Sequence, residues 1–195
     1  LATSLELPIS LNGVVGLRAD LFGKFPAKTS FTAALSEPTV EEVVGSRLEV
    51  WIDDTWANLG TTQKSSLVKG GTVRFPTGLV PVRYAAGSLD FNGISEQRRH
   101  AELELEMVVG ANAITEYDAW VANSLRAIRL KFTGSTIEGA YSYTLQIDLI
   151  GKYTSEPELF RDSDGENVVS LTFSTHDAGS GNEFSVLVTN KETAL

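Results

Sequence analysis

A mainly β protein is the fold this sequence predicts: an antiparallel β-sandwich or barrel with one flanking α-helix and a long extended arm loop. Three observations point to it. Apolar residues recur at every second position in at least five separate runs, one internal segment switches to a spacing of three and four, and residues 12–46 keep neither rhythm.

The clearest alternation spans residues 100–109. Ala101, Leu103, Leu105, Met107 and Val109 share one face, while His100, Glu102, Glu104 and Glu106 share the other. Ile128, Leu130 and Phe132 alternate with Arg129, Lys131 and Thr133. Tyr141, Tyr143, Leu145, Ile147 and Leu149 alternate with Ser142, Thr144, Gln146 and Asp148. Val169, Leu171 and Phe173 follow the same rule, and so do Phe184, Val186 and Val188. β-Branched and aromatic residues dominate each run, so each predicts a half-buried strand. Leu48, Val50 and Ile52 predict another, as do shorter stretches near 72–75, 80–84 and 88–91.

Residues 113–125 predict the helix. Ile114, Tyr117, Trp120, Val121 and Leu125 form an apolar stripe at helical spacing. Thr115 reads as its N-cap, with Asp118 completing a variant capping box. Glu116 and Asp118 suit the positive end of the helix dipole, and Arg126 the other end.

The 195 residues fit a single domain, 1–195, in which 12–46 forms an arm and 152–167 an acidic loop. A structureless stretch as long as 12–46 is uncommon inside a compact domain unless it is functional or disordered. Leu21, Phe22, Phe25 and Phe31 are its apolar candidates, either as anchors on another molecule or as packing on their own domain. The chain has no cysteine, which excludes disulfides, a thiolate nucleophile and cysteine-held zinc, and suits a reducing cytoplasm.

The formal net charge is −9, from 25 acids against 16 bases. Such a balance argues against coating nucleic acid, which requires clustered Lys and Arg. No apolar run nears the roughly 20 residues that cross a bilayer, so no membrane insertion is expected. The opening residues 1–11 alternate and lack a basic n-region, so no signal peptide is read there.

Little catalytic chemistry is written in the sequence. His100 lies on a polar strand face and His176 ends a strand. No Gly-x-Ser-x-Gly elbow or Gly-rich phosphate loop is present. Asp162-x-Asp164-Gly165-Glu166 matches part of a calcium loop, but it equally suits a polar turn. Trp51, Trp56 and Trp120 are candidates for a sugar platform or for packing. No catalytic residue, metal or cofactor is expected. Glu102, Glu104 and Glu106 stand about 7 Å apart along one strand face. They form either a solvated outer face or a wall that repels phosphate.

Three stretches resemble the tail tube (major tail) proteins of long-tailed bacteriophages. One is Thr77-Gly78-Leu79-Val80-Pro81 followed by Gly87-Ser88-Leu89-Asp90-Phe91. Another is the predicted helix running into Arg129-Leu130-Lys131-Phe132-Thr133-Gly134. The third is Leu145-Gln146-Ile147-Asp148-Leu149-Ile150-Gly151-Lys152-Tyr153, continuing through Glu156-Pro157-Glu158-Leu159 and Asp164-Gly165. The N-terminal third matches only in layout. The resemblance implies a structural virion protein, not an enzyme, assembled in the host cytoplasm and resident in the tail. Its partners would be copies of itself in stacked hexameric rings, together with tape-measure and tail-completion proteins. DNA would pass through the lumen without specific binding. Glu102, Glu104 and Glu106 would face that lumen, and Leu21, Phe22, Phe25 and Phe31 would lie on an inter-ring arm. The tube protein of a contractile injection system is a related reading, and a carbohydrate-binding β-sandwich module is the alternative of a different kind.

Overall fold

The computed structural model describes residues 1–24, 40–64, 68–85, 87, 90–177 and 183–191. It shows a mainly β protein with one α-helix, as the alternation predicts. The strands are β1 (Ala2–Ser10), β2 (Arg18–Leu21), β3 (Leu48–Asp53), β4 (Val68–Pro76), β5 (Leu79–Val82), β6 (Gly93–Glu96) and β7 (Glu102–Val108). The helix α1 (Ala111–Val121) follows. Then come β8 (Arg126–Glu138), β9 (Tyr141–Tyr153), β10 (Glu158–Ser163), β11 (Glu166–Thr175) and β12 (Phe184–Thr189).

All strand pairs among the described residues are antiparallel. One long path runs β2-β1-β4-β7-β11-β9-β8-β3, while β5 and β6 form a separate two-stranded ribbon. The path folds back on itself where β9 meets β11. They pair only from Gly151 to Tyr153 against Phe173 to Thr175. Beyond that corner they part. β12 takes the vacated edge of β9, and β10 that of β11. Two layers result, β10-β11-β7-β4-β1-β2 and β12-β9-β8-β3. Gly151 makes the corner possible, because a methyl group there would run into the Ser174 carbonyl oxygen and Thr175 Cα.

The core lies between the layers. Val73, Leu103, Leu105, Met107, Leu171 and Phe173 come from one side, and Val50, Ile128, Leu130, Ile147 and Leu149 from the other. The predicted inward faces of β7, β8 and β11 are therefore the real ones. Phe75 meets Phe184 across the layers with centroids 5.6 Å apart.

Several expectations need correction. The helix begins two residues earlier and ends four earlier than the pattern suggested. Gly110 precedes it without a side-chain cap, and the Thr115 hydroxyl donates to Ala111 O within the first turn. Thr115 is thus no cap. Asn123 ends the helix at φ 50°, with its N–H on Trp120 O and that of Ser124 on Ala119 O, a Schellman-type termination. The buried stripe is Ala113, Glu116 and Ala119, whereas Ile114 and Val121 are exposed. The true face is rotated by about 100°, one residue's turn.

Residues 152–167 are not a loop throughout. The second half forms a hairpin in which Asp164 (φ 54°) and Gly165 (φ 81°) both take the left-handed conformation of a two-residue turn. Asp162 Oδ1 accepts the Gly165 N–H. The charges of β10 had hidden its strand character.

Nor is 12–46 one free arm. Residues 18–21 pair with β1, and a bridge joins Val14 to Val44. Residues 25–39, including Phe25 and Phe31, lie outside the described residues. Near 88–91 the expected strand falls instead at β6, and 88 and 89 are likewise outside.

Asp53 anchors the turn that follows β3. Its carboxylate accepts from Gly60 N, Thr61 N, Thr61 Oγ1 and Thr62 N at 2.7–3.2 Å. Burial pushes the carboxyl up, yet these hydrogen bonds outweigh it and hold it below its ordinary 3.8. The Asp53→Ala variant should lose about 2 kcal/mol in urea unfolding, because several amide donors lose their acceptor. A group with a depressed folded value stabilises above its unfolded value. The wild-type advantage should therefore shrink as pH falls below 3.8.

Candidate assembly surfaces

Backbone N–H and C=O groups on a strand edge seek partners, so the edges define where this molecule can grow. The outer edge of β3 is covered: Ile52 donates to Thr62 O, Lys64 to Val50 O, and Trp51 bridges Gln63. The outer edges of β2, β10 and β12 pair with no strand among the described residues.

β12 is the least protected of the three. It carries no charge, and it pairs with β9 in unbroken register from Phe184↔Leu149 to Thr189↔Thr144. Sequence reasoning made it a half-buried strand. It is a strand, but Val186, Leu187 and Val188 are all exposed. Leu187 is as open as its two neighbours, so neither face of β12 is covered at these positions among the described residues. Beside Val188, the ends of β8 and β9 and the segment 40–44 enclose a mostly apolar groove of about 350 Å³. Phe132, Tyr143, Leu145 and Val43 line it, and Glu41 closes one rim by accepting the Ser135 N–H.

β2 is short and exposed throughout, and Leu21 is uncovered. Phe22, by contrast, meets Phe91 edge-to-face at 5.4 Å, and Lys24 sits over the same ring. Of the four arm candidates, the structure places Leu21 in the open and Phe22 against its own chain.

Glu102, Glu104 and Glu106 share the outward face of β7, as alternation required. Their neighbours were not legible in the sequence. Arg161 on β10 pairs with Glu106 at 3.2 Å, His100 Nε2 lies 3.2 Å from Glu102, and the β4 register sets Arg74 opposite Glu102. Arg74 also reaches Glu6, and Lys69 reaches Glu166. Glu104 faces Thr72 and Thr172. The face is thus of mixed sign rather than uniformly acidic.

A buried polar cluster holds α1 on the sandwich. Glu116 is 2% exposed; its Oε2 accepts from Tyr153 Oη at 2.9 Å and from Arg126 Nε at 3.0 Å. Arg126 also pairs with Asp54, and Lys64 donates to Asn112 Oδ1 at 2.8 Å. Burial raises the Glu116 carboxyl, while the Tyr153 hydroxyl and the Lys64 charge offset only part of that. Burial drives the Tyr153 phenol well up, and the neighbouring Glu116 drives it further. Arg126, expected to interact with the helix dipole, instead opens β8 and satisfies this carboxylate. The spacing 113/116/119 carries the signal, but in the sequence Glu116 reads as an acid at the positive end of the helix dipole and not as part of the buried face.

His176 is exposed, and its N–H donates to Ile150 O. Among the described ring contacts Trp120 meets Tyr117, and no contact joins two tryptophans. No helix among the described residues is long and apolar enough to cross a membrane. The sequence matches neither any family model nor any curated protein with which it was compared.

Proposed function

We propose that this chain is a structural virion protein, the tail tube subunit of a long-tailed phage, which assembles into stacked hexameric rings that deliver DNA. The observation that carries the reading is β12, an uncharged, regular edge strand whose apolar residues lie open beside an apolar groove. Monomeric proteins protect such edges with charge, bulges or cover, because bare ones pair. The mainly β fold with one helix fits the resemblance, as does the lack of clustered basic charge in a −9 chain. Sedimentation velocity over a concentration series tests it. Discrete, large species are expected, and a single monomer boundary at every concentration and salt would defeat it.

In this reading Glu102, Glu104 and Glu106 face the bore. Arg161 pairs with Glu106 and Arg74 lies opposite Glu102 while pairing with Glu6, so the wall is only partly neutralised and keeps a negative excess that disfavours binding a duplex. Replacing all three by lysine should give assembled protein a salt-sensitive affinity for duplex DNA, read by fluorescence anisotropy. No gained affinity would remove the face from the bore.

The second reading, a carbohydrate-binding module, has one observation in its favour. A polar cleft of about 520 Å³ on the outward face of β4 and β7 is lined by Asn12, Lys69, Glu104, Arg161 and Asp164. Calorimetric titration with oligosaccharides decides whether it binds sugar.

A further inference from the structure

We infer that copies of this chain join head to tail, β12 of one pairing antiparallel with β2 of the next, with Leu21 opposite Val186 and Ala19 opposite Val188. This rests on the self-assembly reading above and names the surfaces that carry it.

The choice of edges follows from elimination among the described residues. The β3 edge is covered by residues 62–64. The β10 and β2 edges each carry a register shift against their neighbour, but β10 sets charge on both faces, with Arg161 opposite Val168 and Asp162 opposite Asn167, whereas the β2 charges Arg18 and Asp20 share one face. That leaves β12 and β2. They are different surfaces, so their union is head-to-tail and propagates until rotation closes it.

The choice of register follows from which way the side chains point. Val186 lies opposite Ile147 and Val188 opposite Leu145, both core-facing residues of β9. Val186 and Val188 therefore continue the inner row of their layer past its edge, at 48% and 59% exposure. On β2, Ala19 lies opposite Leu5, which lies opposite the core-packed Phe75. Ala19 thus continues the inner row of the other layer; Leu17 and Leu21 flank it two positions to either side, 68% and 74% exposed, with Leu21 opposite Ala2 beyond a register shift in β1. Pairing the edges as proposed lays inner row beside inner row and extends the core between copies. It also brings Leu17 opposite Asn190, at the mouth of the groove beside Val188. A slip of one residue would set Arg18 and Asp20 on the apolar row instead. A parallel pairing also aligns the rows, but every strand pair among the described residues is antiparallel, and such pairs are slightly more stable.

The absence of cysteine makes the test clean. Directly opposed residues have Cα atoms about 4.5–5.5 Å apart, within disulfide reach. The Leu21→Cys/Val186→Cys double variant, mildly oxidised, should give a ladder of multimers on non-reducing gels. Each single variant should give none, and an equimolar mixture of the two singles should stop at the dimer. A ladder from Leu21→Cys/Val188→Cys in place of the first pair would overturn the antiparallel register. Dimers from Val186→Cys alone would overturn head-to-tail pairing in favour of β12 against β12. Particles that sediment as assemblies yet cross-link in no combination would overturn the strand pairing and leave self-assembly standing. Monomers throughout would defeat both.

Discussion

The Glu116→Ala variant is expected to lose about 3–5 kcal/mol of folding free energy, the largest loss of any single change considered for this chain. The removed carboxylate is the shared acceptor of Tyr153 Oη and Arg126 Nε, and the Arg126 side chain is only 13% exposed. Deleting it leaves a buried hydroxyl without its acceptor and a guanidinium held only by Asp54 at the margin. Urea unfolding followed by tryptophan fluorescence measures the loss. Glu116→Gln keeps an acceptor in place and should cost nearer 1 kcal/mol.

The pH dependence of that pair of proteins carries a sign. Because burial raises the Glu116 carboxyl above 4.5, it takes up a proton more readily in the folded than in the unfolded state. The contribution is complete below 4.5 and fades as pH rises through the folded value. The stability gap between wild type and Glu116→Gln should therefore narrow as pH rises from 4.5 toward neutrality. A gap that widens would mean that the Arg126 charge outweighs burial at this site.

The second large effect concerns association rather than folding. The Val186→Asp/Val188→Asp double variant should fold normally, since both side chains are exposed and such changes shift stability by about 0.5 kcal/mol or less. Its assembly should weaken by on the order of 100-fold or more, because an interface over β12 would bury two unpaired carboxylates. Thermal melting reports the first half, and sedimentation at matched concentration the second. An unfolded variant would show that these positions are core, whereas an assembled one would place the interface elsewhere.

Alternation made much of the fold legible. β7, β8 and β11 each bury one face and expose the other, so period-2 patterning located their core residues directly. Patterning gives a strand's faces but not its neighbours, and that is where the reading stopped. Val186 and Val188 have the spacing of buried residues, yet their layer ends at β12. Arg161 is 55 positions from Glu106 in the chain, and only the β10–β11 hairpin brings them within 3.2 Å. Glu116 misled the helix assignment for a related reason: it reads as an acid at the positive end of the helix dipole, and its buried partners lie on β8 and β9. β2 and β10 escaped notice because short, charged edge strands carry almost no periodic signal. Of the candidate site residues, Glu102, Glu104 and Glu106 share a face as expected, and Leu21 is exposed on an edge.

Negative-stain electron microscopy of the concentrated wild-type protein tests self-assembly most directly. The account predicts rings with a central hole, and stacks of them forming hollow tubes. A field of single, unassociated particles at every concentration and ionic strength would contradict it.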